Sequence, residues 1–230
     1  MIHIAMMHVP RDVETLPESR TSLGERIDAT ITVCVDGQHE IRCLPIIETA
    51  FTVRSAMVLY KQFKEQLGCF RHYARCLGWL VDQSKEGDIV AVLPDDLIYI
   101  DGVDIQKSIE KALTPDLVGY CAVYTPKELG RRNRWKFGGW QPVSGGWDSS
   151  YGGGYFFRRE VAEKVLGHPF FIDHRDNYER NQQIDHCIPE VIHRLGLKQL
   201  FHVPSLSKHI GLTSTIGHEH TEAEEPWGWK

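Results

Sequence analysis

No stretch of this 230-residue chain approaches the roughly 18 consecutive apolar residues that a membrane helix needs. The opening residues, MIHIAMMHV, lack the basic flank and the long apolar core of a signal peptide. No two of the six cysteines (34, 43, 69, 76, 121 and 187) stand in CxxC spacing, which removes the common zinc and redox motifs. Cys34 and Cys121 lie in apolar, strand-like runs, so reduced core thiols of a cytoplasmic protein are the expectation. Excess positive charge is also missing. At a net −5, a polyanion partner requires a local basic patch. Internal repeats are absent as well.

What is present is the composition of a globular domain, 42% hydrophobic and 25% charged, with short apolar runs alternating with helical patterns. Strands are expected at 2–9, 29–35, 89–93, 118–124, 155–157 and 200–203. Helices are expected at 17–23, 70–81, 104–113, 160–166 and 184–195. Ala56, Tyr60, Phe63 and Leu67 recur at helical spacing before Gly68, which predicts a further helix there. Strands separated by helices predict an α/β fold, a mainly parallel central sheet with helices on both faces in Rossmann-like fashion. Residues 126–154 are rich in Gly, Trp and Arg and poor in aliphatics, and read as a long functional loop. One domain over 1–217 and a polar, acidic tail over 218–230 are expected.

The residues with chemical potential are scattered. Asp95 and Asp96 follow the apolar run Ile89–Leu93, where open parallel sheets gather ligands at strand ends. Adjacent carboxylates suit a hard divalent cation, although Pro-Asp-Asp is also good turn chemistry. Arg11, after Pro10, reads either as a phosphate or base contact or as a surface arginine. Asp36 ends the second expected strand, where it reads as half of an Asp-Gly turn or as a hydrogen-bond acceptor for a ligand. Gly152, Gly153 and Gly154 allow close backbone approach to a ligand, or simple loop freedom. Asp185 opens an amphipathic helix, where the helix dipole alone favours an acid. His218 and His220 form an HxH pair in the tail. Arg131, Arg132, Arg134 and Lys136, interleaved with Trp135 and Trp140, make the one cationic, aromatic stretch. It suits phosphates and stacked rings, or a solvated lid.

Five segments stand in a telling order: HVPRDVETLPESRTSL (8–23), GCFRHYARCLGWL leading to DIVAVLPDDL (68–97), GGGYFFRREVAEKVL (152–166), QQIDHCIPEVIHRLGL (182–197) and HVPSLSKHIG (202–211). Together they resemble a nucleotide-sugar-dependent glycosyltransferase of the GT-A type, over about residues 1–217. The resemblance implies that Asp96 matches the last acid of the family's DxD motif, with Pro94 standing where a first acid is common. It implies that His209 is the late metal ligand for Mn²⁺ or Mg²⁺, and that Asp95 lies near the ribose or behind the metal. It implies that Arg11, Asp36, Gly153 and Gly154 line a nucleoside-diphosphate-sugar donor, most simply a UDP-sugar. Asp185 is then the base of an inverting transfer.

The basic-aromatic stretch (Arg131, Arg132, Arg134, Trp135, Lys136, Trp140) would then meet the acceptor. Small soluble members of this group include phage and bacterial enzymes that glucosylate hydroxymethylated pyrimidines in DNA, so a DNA acceptor in a bacterial or phage-infected cell is the expectation. A glycan, lipid-linked or protein acceptor is the alternative, and a non-catalytic nucleotide-binding module a further one. A nucleotidyltransferase using the same acids would want a glycine-rich loop after the first strand, and Pro10-Arg11 offers none.

Overall fold

The structure, a computed structural model, describes residues 1–8, 16–35, 57–62 (backbone), 67–135, 138–143, 154–177 and 184–210. In chain order the strands are β1 (Ile2–His8), β2 (Thr30–Val35), β3 (Met57–Gln62), β4 (Ile89–Pro94), β5 (Leu97–Tyr99), β6 (Val118–Ala122), β7 (Gly139–Val143), β8 (Tyr155–Arg158), β9 (Lys198–Val203) and β10 (Ser207–His209). The helices are α1 (Leu16–Gly24), α2 (Cys69–Gln83), α3 (Ile105–Leu113), α4 (Lys127–Arg132), α5 (Arg159–Leu166), α6 (Pro169–Asp176) and α7 (Ile184–Arg194).

Eight strands form one sheet in the order β3-β2-β1-β4-β8-β6-β9-β7, and β5 pairs with β10 in a separate two-stranded ribbon. The sheet is mainly parallel; among the described strands only β8 and β7 run against their neighbours. Strands β1, β2, β4, β6 and β8 are buried on both faces, which explains their nearly unbroken apolar sequences. Along β4, Val90 and Val92 join the core beneath α2, α5, α6 and α7. Ile89, Ala91 and Leu93 join the opposite core beneath α1 and α3. The expected α/β architecture, a mainly parallel sheet covered on both sides, is the one observed.

Local chemistry accounts for the helices that frame the site. In α2, Phe70, Tyr73, Leu77 and Leu80 recur at three and four residues and are all buried. Asp104 caps α3 by accepting from the Lys107 amide at 3.0 Å, a contact of about 1 kcal/mol. Proline at the first position of α6 has a missing N–H that costs nothing there. The Tyr120 hydroxyl donates to Gln199, whose amide nitrogen donates to the Pro189 carbonyl, tying β6 and β9 to α7.

Two expectations are corrected. The helix expected over 56–67 is not there: Met57–Gln62 is strand β3, parallel to β2 at the sheet edge. Its four contiguous apolar residues, Met57 to Tyr60, are the better signal, and selecting every third or fourth residue concealed them. The long loop expected over 126–154 contains helix α4 and strand β7. Strand β7 is an edge strand that includes Pro142 and half-exposed residues, so it carries no continuous apolar pattern. The short strands β5 and β10 and helix α6 were also not foreseen.

Candidate functional site

Strands β2 and β3 lie to one side of β1, and β4 lies to the other. Chain connections therefore diverge between β1 and β4, the position where a parallel sheet opens a crevice at its carboxyl edge. Met7 is in register with Pro94, which brings the next residues, His8 and Asp95, together at that edge. Both side chains are buried, 0% and 1% exposed, and His8 Nδ1 donates to Asp95 Oδ2 at 2.6 Å.

Asp96 faces differently. Its carboxylate accepts from His209 Nδ1 at 3.1 Å, and its main-chain oxygen accepts from the Ile210 amide at 2.8 Å. Both donors come from β10 and the residue after it. That segment reaches Asp96 because β10 pairs antiparallel with β5, His209 opposite Leu97. The Tyr124 ring packs edge-on against the His209 imidazole with centroids 4.6 Å apart, fixing its plane. The two neighbouring acids thus point to separate histidines, one inside the fold and one at its rim.

With the Nδ1 proton of His209 released, the Asp96–His209 pair suits a divalent cation. Two adjacent ligands on an octahedral Mg²⁺ or Mn²⁺ lie about 3 Å apart when each bond is about 2.1 Å, and the observed separation is 3.1 Å. No cluster of three metal-binding side chains occurs among the described residues. The remaining positions would fall to water and to phosphate oxygens of a ligand.

Asp185 sits in the first turn of α7. Burial holds the Tyr73 and Tyr155 hydroxyls well above the ordinary phenol range, and the nearby Asp185 carboxylate pushes both further in the same direction. Tyr155 pairs with Val92, so these phenols and Asp185 approach the carboxyl end of β4. The Tyr73 hydroxyl is buried with no hydrogen-bond partner among the described residues.

Gly154 enters β8 at φ +74°. A Cβ there would lie 2.7 Å from Val123 Cγ2 and 3.3–3.4 Å from Leu93 and Leu97, the residues that bracket the acid pair. Arg131, Arg132 and Arg134 are exposed on and after α4, with Arg132 bonded to Glu128 at 3.3 Å. The aromatic members of that stretch turn inward. Trp135 packs on Phe201, while Trp140 packs edge-on against His202 and donates from Nε1 to Ser108. Arg11, Asp36, Lys136, Gly153, His218 and His220 lie outside the described residues, as does the tail. Sequence reasoning missed His8 and Tyr73. A lone histidine ending a strand gives no signal until β4 is known to lie beside it, and Tyr73 falls on an ordinary core face of α2.

Among the described residues no helix is long and apolar enough to cross a membrane. The sequence matches no protein-family model and no curated protein. Solved structures do share the architecture. One is GalNAc-T7 with UDP, GalNAc and Mn²⁺, with 14% identity, a TM-score of 0.58, and coverage of 90% of this chain and 42% of that one. Another is the mannosyltransferase PcManGT from Pyrobaculum calidifontis with GDP-Man and Mn²⁺, with 14% identity, a TM-score of 0.56, and coverage of 86% and 53%. A third is a nucleoside-diphosphate-sugar pyrophosphorylase from Vibrio cholerae RC9, with 12% identity, a TM-score of 0.51, and coverage of 88% and 91%. The chain spans about half the length of the two transferases. At these identities the likeness is one of fold, and that fold is the GT-A arrangement.

Proposed function

We propose that this chain transfers a sugar from a nucleoside diphosphate donor, a UDP-sugar in the first instance, to an acceptor hydroxyl. The observation that carries the reading is the Asp96–His209 pair, 3.1 Å apart and 113 residues distant in sequence, at the carboxyl edge beside the β1/β4 crevice. Asp96 and His209 would hold Mn²⁺ or Mg²⁺, which when bound offsets charge on the departing diphosphate. Asp185 takes the proton from the acceptor hydroxyl. The acceptor oxygen then bonds to the sugar's anomeric carbon as the bond to the diphosphate oxygen breaks, and the electron pair leaves with the diphosphate. Attack from the face opposite the leaving group inverts the anomeric centre. The exposed Arg131, Arg132 and Arg134 favour an anionic acceptor, and DNA carrying hydroxymethylated pyrimidines is the first to try.

A second reading has one observation in its favour: the pyrophosphorylase is matched over 91% of its own length, far more than either transferase. That enzyme class joins a nucleoside triphosphate to a sugar phosphate and releases pyrophosphate. The absence of glycine from 9–15, directly after β1, weighs against it.

One experiment separates the two. Purified protein with Mn²⁺ is given, in one arm, a panel of nucleotide sugars with two acceptor sets, hydroxymethylated DNA and simple glycans, and in the other nucleoside triphosphates with sugar 1-phosphates; products are read by intact mass and pyrophosphate release. An acceptor heavier by one hexose, with nucleoside diphosphate released, supports the transferase. Pyrophosphate released from a nucleoside triphosphate and a sugar phosphate, with no acceptor modified, replaces it with the second reading. In parallel, Mn²⁺ should enlarge the rise in melting temperature given by UDP, and Asp96→Ala should remove that increment. An unchanged increment removes Asp96 from the cation site.

A further inference from the structure

We propose that His8 is a positioning residue: through Asp95 it fixes the direction in which Asp96 presents its carboxylate to His209 and to a cation. The inference rests on the reading of Asp96 and His209 as the cation pair.

The geometry is built from three anchors. His8 ends β1 and Asp95 follows β4, and the register Met7↔Pro94 sets them side by side. Both lie on the sheet face that carries Ile4 and Met6 of β1 and Ala91 and Leu93 of β4, which packs beneath α1 and α3. Their 2.6 Å bond is short even for a charge-assisted contact, and both side chains are withdrawn from water. The second anchor is the Ile210 amide on the Asp96 carbonyl, and the third is His209 on its carboxylate. The turn at Asp95 and Asp96 is therefore gripped from β1 on one side and from β10 on the other.

Removing the first grip has a chemical consequence beyond lost packing. A buried carboxylate that loses a charge-assisted donor is destabilised where it stands and is drawn toward any cation within reach. For Asp95 the nearest such cation would be the one held by its neighbour. Asp95 and Asp96 are the two residues of one turn between β4 and β5, so a displacement of Asp95 is passed to the backbone that aims Asp96. Asp96 then no longer meets His209 at its present angle. His8 thus decides which of two adjacent acids serves as the ligand, a role that partners of metal-binding side chains commonly fill.

The test compares two substitutions that differ in where they place a donor. His8→Asn sets an amide nitrogen near the Nδ1 position, whereas His8→Gln carries it toward Nε2. Mn²⁺ binding in the presence of UDP is followed by electron paramagnetic resonance of the free ion. It is measured at a temperature where circular dichroism shows every variant folded, with melting curves recorded separately.

His8→Asn should bind Mn²⁺ within about threefold of the parent, and His8→Gln about 10–100-fold more weakly, the range typical for loss of such a partner. UDP affinity without metal should be the same in all three. Equal Mn²⁺ affinity in the parent and His8→Gln, whatever its melting temperature, overturns the proposal and leaves the transferase reading standing. Equal weakening by both substitutions overturns it too, because donor position would then be irrelevant. If the parent protein binds no Mn²⁺ with UDP, this proposal and the cation-pair reading fall together.

Discussion

Three glycines offer the same substitution in three environments, and the structure assigns each a different outcome. Gly154→Ala meets two penalties. Its φ of +74° is a left-handed conformation that costs an ordinary residue about 1–2 kcal/mol. Its Cβ would stand 2.7 Å from Val123 Cγ2 in a packed layer, and overpacking of this kind costs about 1–3 kcal/mol. The sum, about 2–5 kcal/mol, is a large part of the 5–15 kcal/mol on the order of which a domain is stable. Gly119→Ala has only the second penalty: its backbone is ordinary, but Ile192 Cγ2 would lie at 2.5 Å and Leu197 Cβ at 3.1 Å. Gly78 lies within α2 with open space around it, so alanine there should stabilise by about 0.5–1 kcal/mol. Urea denaturation followed by far-ultraviolet circular dichroism measures all three, with an unchanged slope required for each comparison. The expected order of stability is Gly78→Ala, then the parent, with Gly119→Ala and Gly154→Ala both below it. A Gly154→Ala protein as stable as the parent refutes the reasoning, because both the backbone and the packing penalty would then be absent.

Other outcomes follow from the site and the core. Asp185→Asn should keep donor affinity while lowering transfer about 10²–10⁴-fold, the range for a lost general base; retained turnover in single-turnover assays removes that role. Tyr73, Tyr99 and Tyr155 are buried phenols with raised pKa values, so they stabilise the fold fully below their unfolded value of 10.0 and lose that contribution as pH rises beyond it. Three such groups steepen the fall in stability above that pH by about 4 kcal/mol per pH unit. Ultraviolet titration should show their ionisation only together with unfolding, and a reversible titration of every tyrosine in the folded state would refute it. Trp140→Phe removes the Nε1 donation to Ser108, at 3.0 Å to its carbonyl and 3.1 Å to its hydroxyl, and should cost about 0.5–1.5 kcal/mol in the same denaturation assay.

The layers of this fold were legible wherever burial imposed a period. Helix α2 and strand β4 announce themselves because each must satisfy a core on a repeating face, and their boundaries fell within a residue or two of expectation. Strand β7 did not, because an edge strand with one poorly covered face carries no such constraint. Asp96 and His209 were both singled out from segment order, yet nothing in the sequence shows that they meet. Their contact depends on β10 pairing with β5, two three-residue strands too short to carry a pattern. The partnership of His8 with Asp95 was hidden for a related reason. It needs β1 beside β4 in a defined register, which is a property of the sheet order and not of either segment.

The ribbon of β5 and β10 has a bearing on how the molecule is assembled. Strands β1 and β4, with Asp95 and Asp96, occupy the first half of the chain, but β10 is the last strand among the described residues. A growing or refolding chain can therefore raise most of its sheet and still hold no cation pair. The pair arrives only when a loop of more than a hundred residues closes onto Asp96. A cation bound by Asp96 and His209 would act as a clasp on that closure, resisting the peeling of β10 from β5 through mass action alone. Capacity for the metal and completion of the fold are, in this arrangement, one event.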